Sequence, residues 1–372
     1  MVDYLIVGGG VYGCALAWEL ARRGYGVRIL ESDAVAGKAS GGPGRRGVRA
    51  NGRDRRELPL MALAYETWPE LHQTLGCTQF YERVGQLLLM ESPQAVAGAH
   101  ARCWMQNQLG IETHLLDPGE VRELEPDLST DVAAALFCPK DGVCDHGATT
   151  KAYANSAKKL GAVVSERCAM ETLTHNAGRV HSATTQSGER IGINRGVFLL
   201  SNSEVATQVR KLSGLELPVW NACLQVLVSE PLTTVPLRHL VGHTARTVSL
   251  KRQGADRIMI SGGWPGVWDE STQSGSALSS SISGNVAQAI ALYPSLADLR
   301  IAHADASHLE AMSVDDIPII DKVPGIDNVW FTTGCSGHGW AIAPVIAELL
   351  ATWTDSDSKP DLLESFALRR FF

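Results

Sequence analysis

The amino-acid sequence predicts an α/β fold in which two domains are interleaved along the chain. Residues 4–31 (YLIVGGGVYGCALAWELARRGYGVRILE) read as an apolar strand, a glycine turn, a helix and a second strand. Residues 328–353 (NVWFTTGCSGHGWAIAPVIAELLATW) repeat the order of strand, glycine turn and helix near the other end. The chain has 372 residues, which is long enough for two domains. One domain is therefore expected to be assembled from both ends of the chain.

The first glycine turn has the pattern of a Rossmann-like dinucleotide-binding domain. Gly8, Gly10 and Gly13 form G-x-G-x-x-G directly after the strand. The first lets the chain turn, the second lets the backbone approach a pyrophosphate at the helix N-terminus, and the third lets the helix lie close to the strand. Glu31 ends the second strand, where a carboxylate accepts ribose hydroxyls and repels a 2′-phosphate. The segment disfavours NADP and leaves NAD and FAD open.

The late strand, glycine turn and helix favour FAD over NAD. A simple NAD-binding domain does not need this closing unit, whereas a flavoprotein uses one. A helix N-terminus aimed at the pyrimidine edge of a flavin stabilises the anionic reduced ring.

The bulk composition excludes several classes of protein. A formal net charge of −7 argues against non-specific nucleic-acid binding, which needs a basic surface. No apolar run reaches membrane-spanning length, and no basic n-region or cleavage site precedes the first strand, so a cytoplasmic location is expected. The eight cysteines contain no C-x-x-C pair, which predicts reduced thiols and neither a zinc site nor a disulfide framework. No metal site is expected.

Between the two glycine turns, the pattern of residues predicts a series of strands and helices. The glycine- and arginine-rich segment 36–56 is either a solvated basic loop or, as we favour, a loop in which Arg45, Arg46 and Arg49 meet a diphosphate or flavin. Helices are expected over 58–76, 93–109 and 147–160, with a turn and short helix at LDPGEVRELEP. Strands are expected at 86–90 and 196–202, in the meander CAMETLTHNAGRVHSATTQSGER, and at LQVLVSEPL and RIMISGGW. The serine-rich segment 274–284 is interpreted as a loop entering a helix.

Taken together, these segments resemble the FAD-dependent D-amino-acid oxidase (DAO) family, which includes glycine oxidase, sarcosine oxidase and D-amino-acid dehydrogenase. IVGGGVYGCALAWELARRG and ILES resemble the family's FAD-binding opening, and ASGGPGRRGVR its flavin-flanking loop. PKDGVCDHGATTKAYANSAKKLGAVV is similar to its re-entry helix and strand. MSVDDIPIIDKVPGIDNVWFTTGCSGHGWAIAP resembles its closing signature, so that the likeness covers nearly the whole chain.

The resemblance implies non-covalently bound FAD and a set of residues that contact it. Met170 would touch adenine or its ribose through its backbone, with plain core packing as the alternative. His308 stands where some sarcosine oxidases attach their flavin covalently, although an ordinary polar contact is the simpler interpretation. The implied FAD contacts are Gly8, Gly10, Val11, Tyr12, Gly13, Glu31, Ser32, Ser40, Gly41, Gly44, Arg45, Arg46, Met170, Cys335, Ser336, Gly337, His338, Gly339 and Trp340.

The departures from the family pattern concern the substrate. Glu310 stands where amino-acid oxidases of this family often carry an arginine for the substrate carboxylate, and the closing turn lacks the basic residue of some members. A carboxylate cannot hold a carboxylate, so simple glycine is not the expected substrate. Either Arg45, Arg46 or Arg49 meets the carboxylate, or the substrate presents a cationic or polar group, or Glu310 pairs structurally with an arginine. Sarcosine oxidases use a lysine to activate oxygen, and Trp264 lies near the place where the resemblance would put that lysine. Oxygen is then expected to be a poor electron acceptor, which predicts a dehydrogenase.

The sequence thus predicts an FAD-dependent enzyme that oxidises the C–N bond of an amine or amino-acid-like substrate by hydride transfer to flavin N5. Trp264 is expected to form a wall of the pocket, with His308, Glu310 and Arg49 near the substrate as polar groups. The FAD-binding domain is expected over 1–85, 140–215 and 305–372, and a mixed-sheet α+β substrate domain over 86–139 and 216–304. Oxygen, a quinone or a partner protein would accept the electrons. The alternatives are a flavin subunit of a larger dehydrogenase and a hydroxy-acid (C–O) oxidoreductase of the same family.

Overall fold

A computed structural model describes all 372 residues of the chain. Eight α-helices are present: α1 (Val11–Arg22), α2 (Leu58–Thr74), α3 (Pro93–Gln108), α4 (Pro118–Leu124), α5 (His146–Lys159), α6 (Val205–Ser213), α7 (Ser279–Leu292) and α8 (Ala343–Ser356). A 3₁₀ turn at Gly339–Ile342 leads directly into α8. No helix of the molecule combines the length and apolar composition needed to cross a membrane.

The strands are short and numerous. In chain order they are β1 (Val2–Val7), β2 (Val27–Leu30), β3 (Arg45–Val48), β4 (Tyr81–Glu82), β5 (Gln86–Met90), β6 (His114–Leu116), β7 (Ala134–Cys138), β8 (Gly142–Asp145), β9 (Val163–Ser165), β10 (Met170–Asn176), β11 (Arg179–Thr185), β12 (Arg190–Leu199), β13 (Val219–Cys223), β14 (Val226–Ser229), β15 (Leu240–His243), β16 (Ser249–Gln253), β17 (Arg257–Ser261), β18 (Gly266–Asp269), β19 (Ser274–Ala277), β20 (Ile301–Asp305), β21 (Leu309–Ser313), β22 (Ile319–Lys322) and β23 (Val329–Thr333).

The first large sheet is built around β1 and is covered on both faces. Its order is β10-β11-β12-β1-β2-β9, with β23 beside β12 and β22 beside β23. Strand β1 runs parallel to both β2 and β12, and successive side chains point to opposite faces. Tyr4 and Ile6 lie in the core formed with α1, α5 and α8, whereas Leu5 and Val7 lie in the core formed with α6 and the β10–β12 meander. This explains why the segment YLIV is continuously apolar.

The second large sheet has one apolar face and one face toward a cavity. Its order is β20-β14-β17-β16-β15-β5-β7-β6. Leu87, Val241, Leu250 and Ile260 lie in a core that also includes residues of α4 and α7. The side chains that alternate with them along the same strands line the cavity; they include Gln86, Leu88, Leu240, Ser249, Lys251, Met259 and Ser261.

The structure confirms the predicted α/β class. The helices expected over 58–76, 93–109 and 147–160 correspond to α2, α3 and α5. The short helix in LDPGEVRELEP is α4, which begins after Asp117. Asp117 and Glu120 form a reciprocal capping box there.

The interpretation of 274–284 as a loop entering a helix is wrong in its first part. Ser274–Ala277 is strand β19, which pairs antiparallel with β18, and α7 begins at Ser279. Ladder pairing is made by the backbone, so a serine-rich segment forms a strand when a partner strand lies beside it.

The two large sheets draw on separate stretches of the chain. The first uses residues between 2 and 30, 163 and 199, and 319 and 333, and the second uses residues between 86 and 138 and between 226 and 305. We propose the same two domains that the sequence suggests, with 1–85, 140–215 and 305–372 forming the cofactor domain and 86–139 and 216–304 the substrate domain.

Asn328 joins three strands of the first sheet at the point where the chain returns to it. Its Oδ1 accepts a hydrogen bond from the Val180 amide at 2.8 Å. Its Nδ2 donates to the carbonyls of Val180 at 2.9 Å and Arg195 at 3.1 Å. The side chain is buried, so no water replaces these partners.

Substitution Asn328→Ala is therefore expected to lower the free energy of unfolding by about 2–4 kcal/mol, because it leaves buried backbone groups unpaired. Urea unfolding with an unchanged m value measures the loss. Asn194→Ala is the matched control, since Asn194 lies exposed in the neighbouring strand and should change stability by less than about 0.5 kcal/mol. Equal midpoints for the two variants would contradict the assignment.

Candidate functional site

A single large cavity lies between the carboxyl ends of the first sheet's parallel strands and the polar face of the second sheet. Its volume is about 1130 Å³, and it extends from Gly8 and Glu31 at one end to Lys251 and Ser261 at the other. In open α/β sheets, ligands bind at the carboxyl ends of the strands. A cavity of this size accommodates a dinucleotide together with a small substrate.

The glycines of the first turn shape one end of the cavity. Gly8 has a φ of +114°, and a Cβ there would lie 2.6 Å from the Leu200 carbonyl oxygen. A Cβ on Gly13 would lie 1.9 Å from the Gly8 carbonyl oxygen, so α1 could not approach β1 with any larger residue. A Cβ on Gly10, by contrast, would meet nothing within 4 Å, and Gly10 makes no side-chain cap for α1. The first turn of α1 is open to an anionic ligand.

Glu31 is held rigidly at the end of β2. Its Oε2 accepts a hydrogen bond from the Gly9 amide at 2.6 Å, and its Oε1 accepts one from the Asp33 amide at 2.8 Å. The carboxylate is buried and lines the cavity together with Ser32 and Met170.

Two arginines of the flanking loop face the middle of the cavity without any carboxylate within ion-pair distance. Arg46 donates to the carbonyls of Ser40 at 3.0 Å and Gly42 at 2.5 Å. Arg49 donates from Nη1 to the Asn51 carbonyl at 2.9 Å. Burial lowers the pKa of both guanidinium groups, that of Arg49 to about 10. Two half-buried cations without a carboxylate partner mark a place for an anionic group.

The closing glycine turn is fixed by Glu310. Its Oε1 accepts from the Gly337 amide at 3.0 Å, and its Oε2 accepts from Asn202 Nδ2 at 3.2 Å. Burial raises the pKa of the Glu310 carboxyl, against the hydrogen bonds that lower it. Glu310 thus lines the cavity while its two oxygens are occupied by the protein itself.

Beneath the closing turn, a buried network ties His338 to the flanking loop. His338 Nδ1 donates to the Ser336 carbonyl at 3.0 Å, and its Nε2 lies 3.2 Å from Glu57 Oε2. Arg53 Nη1 donates to Glu57 Oε1 at 2.8 Å, and Arg53 Nη2 donates to the His338 carbonyl. Burial would raise the pKa of Glu57, but Arg53 and His338 hold it below its usual value. Both ring nitrogens of His338 face acceptor oxygens, which fixes the orientation of the ring.

The roof of the cavity contains groups that the sequence did not single out. Lys251 is 4% exposed, and its Nζ donates to Ser261 Oγ at 3.2 Å. Burial, together with Arg46 and Arg49, lowers the pKa of Lys251 to about 7. Gln86 lies in the same cross-strand row, with its Oε1 buried and without a partner. The sequence analysis looked for a lysine only in the Trp264 segment and did not identify Lys251, which comes from β16.

Most residues that the sequence predicted for the site line the cavity. Those that do are Gly8, Gly10, Val11, Tyr12, Glu31, Ser32, Ser40, Gly41, Arg46, Arg49, Met170, His308, Glu310, Cys335, Ser336, Gly337, His338, Gly339 and Trp340.

Four predicted residues do not line the cavity. Gly13 packs on the Gly8 carbonyl, as its role in the turn requires. A Cβ on Gly44 would meet Met259 and Gln253 of the second sheet. Arg45 turns outward to Glu82, with contacts of 2.7 and 2.8 Å. Trp264, expected as a wall of the pocket, donates from Nε1 to the Thr247 carbonyl at 2.6 Å and lies over Gly284 of α7.

The residues present fit a bound flavin dinucleotide. Trp340 Nε1 and Thr332 Oγ1 are buried without a hydrogen-bond partner, and both side chains line the cavity. Gln225 leaves both atoms of its buried amide unpartnered there as well. Buried polar atoms are normally hydrogen-bonded, so these groups call for partners on a bound molecule. No cluster of three or more His, Cys, Asp or Glu side chains in the molecule is arranged to hold a metal ion.

Comparison with known proteins agrees with this geometry. Residues 3–353 match the family model described as DAO, FAD dependent oxidoreductase. The chain is 27% identical to sarcosine oxidase subunit beta of Rhizobium meliloti (strain 1021), covering 99% of this chain and 88% of that protein. It is 25% identical to glycine oxidase of Bacillus licheniformis, covering 99% and 97%. Among solved structures, L-proline dehydrogenase from P. horikoshii aligns with a TM-score of 0.90 at 23% identity, covering 100% and 97%.

Substitution Glu31→Gln is expected to weaken FAD binding about tenfold to hundredfold, because a charge-assisted hydrogen bond contributes about 1.5–3 kcal/mol. An amide also offers only one acceptor oxygen to the amides of Gly9 and Asp33. Titration of the apoprotein with FAD, followed by flavin fluorescence, measures the dissociation constant. Glu171→Gln, an exposed carboxylate beside Met170, is the control and should bind FAD as the wild type does. An unchanged constant in Glu31→Gln would exclude this role.

Proposed function

The chain belongs to the DAO family of FAD-dependent oxidoreductases, acting on amines or amino acids, and from this premise we propose its reaction. It oxidises the C–N bond of an amine that carries a carboxylate, by hydride transfer to flavin N5, and simple glycine is not its main substrate. The observation that carries the proposal is Arg49, a half-buried guanidinium that lines the cavity with no carboxylate within ion-pair distance. A substrate carboxylate is the partner that this cation lacks.

Different residues around the cavity would hold different parts of the cofactor. The open N-terminus of α1 would hold the pyrophosphate, Glu31 the ribose, and the loops at Ser40–Gly41 and Cys335–Trp340 the flavin ring. Bound FAD would supply the acceptor for a hydride, which carries both electrons of the C–H bond beside nitrogen. The backbone amides at the N-terminal end of the Gly339–Ile342 turn would place partial positive charge beside a bound flavin ring, which would favour its reduction.

The protein's contribution to the chemistry is position and electrostatics. Arg49 would grip the carboxylate and so orient the carbon beside nitrogen. The polar face of the second sheet and the flanking loop enclose the substrate, which excludes water and strengthens each electrostatic contact. A neutral amine that loses a hydride becomes an iminium ion, which either releases its N–H proton to water as an imine or is hydrolysed directly after release, so the hydride step itself needs no strong acid or base from the protein. We assign Glu310 to holding the closing turn, since the Gly337 amide and Asn202 each donate to one of its oxygens.

A second candidate function is that of a flavin subunit within a larger dehydrogenase. The relative from Rhizobium meliloti is named as a subunit, and Trp220 and Val314, on and beside the small β13–β21 sheet, are 50% and 59% exposed. Such a subunit would pass electrons to a partner protein in place of oxygen or a quinone. A co-purifying chain or iron–sulfur content would favour it, whereas full turnover by the isolated chain would favour the first proposal.

Anaerobic titration of the purified holoenzyme with a panel of secondary amines and amino acids is the direct test. We expect at least one compound to bleach the absorption band of oxidised flavin and to release ammonia or a primary amine after re-oxidation. Glycine should bleach the band weakly. Bleaching by hydroxy acids, without amine release, would replace C–N by C–O oxidation, and a flavin that none of the compounds reduces would contradict the proposal.

Substitution Arg49→Gln is expected to raise the substrate concentration for half-maximal bleaching about tenfold to hundredfold, the cost of one charge-assisted contact. The visible spectrum of the bound flavin should persist, which separates substrate binding from cofactor loss. Arg45→Gln is the matched control, because that side chain pairs with Glu82 outside the cavity. Equal effects of the two variants would exclude Arg49 as the carboxylate partner.

A further inference from the structure

Lys251 projects into the cavity from the middle of the second sheet. It lies on β16 between Leu240 of β15 and Met259 of β17, and all three side chains line the cavity. The next residue along the chain, Leu250, points to the opposite face and is part of the apolar core. The strand therefore commits Lys251 to the cavity, because a change of face would bury the ammonium group among apolar side chains.

The ammonium group of Lys251 has no acidic partner. Its only polar side-chain contact is Ser261 Oγ at 3.2 Å, and no carboxylate lies within ion-pair distance. Of the acids that border the cavity, Glu31 and Glu310 are occupied by backbone amides and Asn202, and Glu204 is exposed. His243 and Arg246 also border the cavity, and both face Glu91, at 3.6 and 2.9 Å.

Lys251, which is buried, therefore shares the middle of the cavity with two half-buried cations, Arg46 and Arg49. Arg46 is satisfied by three backbone carbonyls of its own loop, but Arg49 and Lys251 each retain free donors. An isolated buried charge is costly unless a counter-charge accompanies it. A simple amino acid brings one carboxylate, which balances one of these cations and leaves the other alone.

Building on the proposed function, we propose that the substrate is an amine with two carboxylates, such as an N-carboxyalkyl amino acid, one carboxylate meeting Arg49 and the other Lys251. Burial beside Arg46 and Arg49 lowers the pKa of Lys251. A second carboxylate bound beside Lys251 would raise its pKa again and so stabilise the ammonium form. Gln86, with its unpartnered Oε1 in the same row, offers an acceptor for the substrate N–H.

The test uses unreactive thioether analogues, so that binding is measured apart from turnover. Thiodiacetate carries two carboxylates and (methylthio)acetate carries one, with sulfur in place of the amine nitrogen. Each is titrated into the holoenzyme, and the perturbation of the flavin spectrum gives the dissociation constant. We expect thiodiacetate to bind at least about tenfold more tightly than (methylthio)acetate, as one additional charge-assisted contact implies.

Substitution Lys251→Met should remove this preference. It should weaken thiodiacetate about tenfold to hundredfold and leave (methylthio)acetate within about threefold. Lys251→Arg should retain the preference because the charge is kept, which also guards against a folding defect in the methionine variant. Lys151→Met, an exposed lysine on α5, is the control and should bind both analogues as the wild type does.

Three results would overturn the proposal. The wild type could bind the two analogues equally. Lys251→Met could weaken both analogues alike, which would make Lys251 part of a clamp for a single carboxylate. Lys251→Met could also leave both affinities unchanged and slow the re-oxidation of reduced flavin by oxygen. That result would mean that Lys251 acts in the reaction with oxygen and not in substrate binding. If the wild type prefers thiodiacetate but no amine reduces its flavin, the site for two carboxylates is supported and only the proposed C–N oxidation is contradicted.

Discussion

The buried pair between Arg53 and Glu57 is the interaction on which the rest of the site depends. Both side chains are almost fully excluded from solvent, and neither charge has water to stabilise it. Arg53 also binds the backbone of Arg49 and of His338, and Glu57 faces the His338 ring. Since a buried charge without its partner costs about 3–5 kcal/mol, the flanking loop, the start of α2 and the closing turn are held as one unit. The floor of the cavity is therefore preorganised before any ligand arrives.

Much of the fold could be predicted from the sequence because its signals are local. The glycine turn at Gly8–Gly13, the continuous apolar run of β1 and the acid at Glu31 lie within about thirty residues of one another, and each follows from short-range chemistry. The closing unit has the same order of strand, glycine turn and helix. The FAD-binding half and its family could therefore be identified from the sequence alone. The β19 strand was missed, since nothing in its composition reveals the neighbouring β18.

The substrate side of the cavity could not be predicted to the same depth. Glu310 lines the cavity, but its two partners, Gly337 and Asn202, come from distant segments, and its predicted place near the substrate stays a prediction. The orientation of Trp264 depends on contacts with Thr247 and α7. Lys251 looks in the sequence like an ordinary surface lysine, and only the register of β16 turns it inward. Side-chain direction on a sheet depends on which face is covered, and that is a property of the assembled molecule.

Along each strand of the second sheet, side chains alternate between the apolar core and the cavity. Leu250, Ile258 and Ile260 support the core, whereas the residues between them, such as Lys251 and Met259, line the cavity. Mutations at alternate positions thus act on different properties, one on folding and the other on recognition. Evolution can rewrite the recognition face without disturbing the hydrophobic face. Substitutions on the cavity face can therefore change which amine binds while the apolar face continues to support the fold.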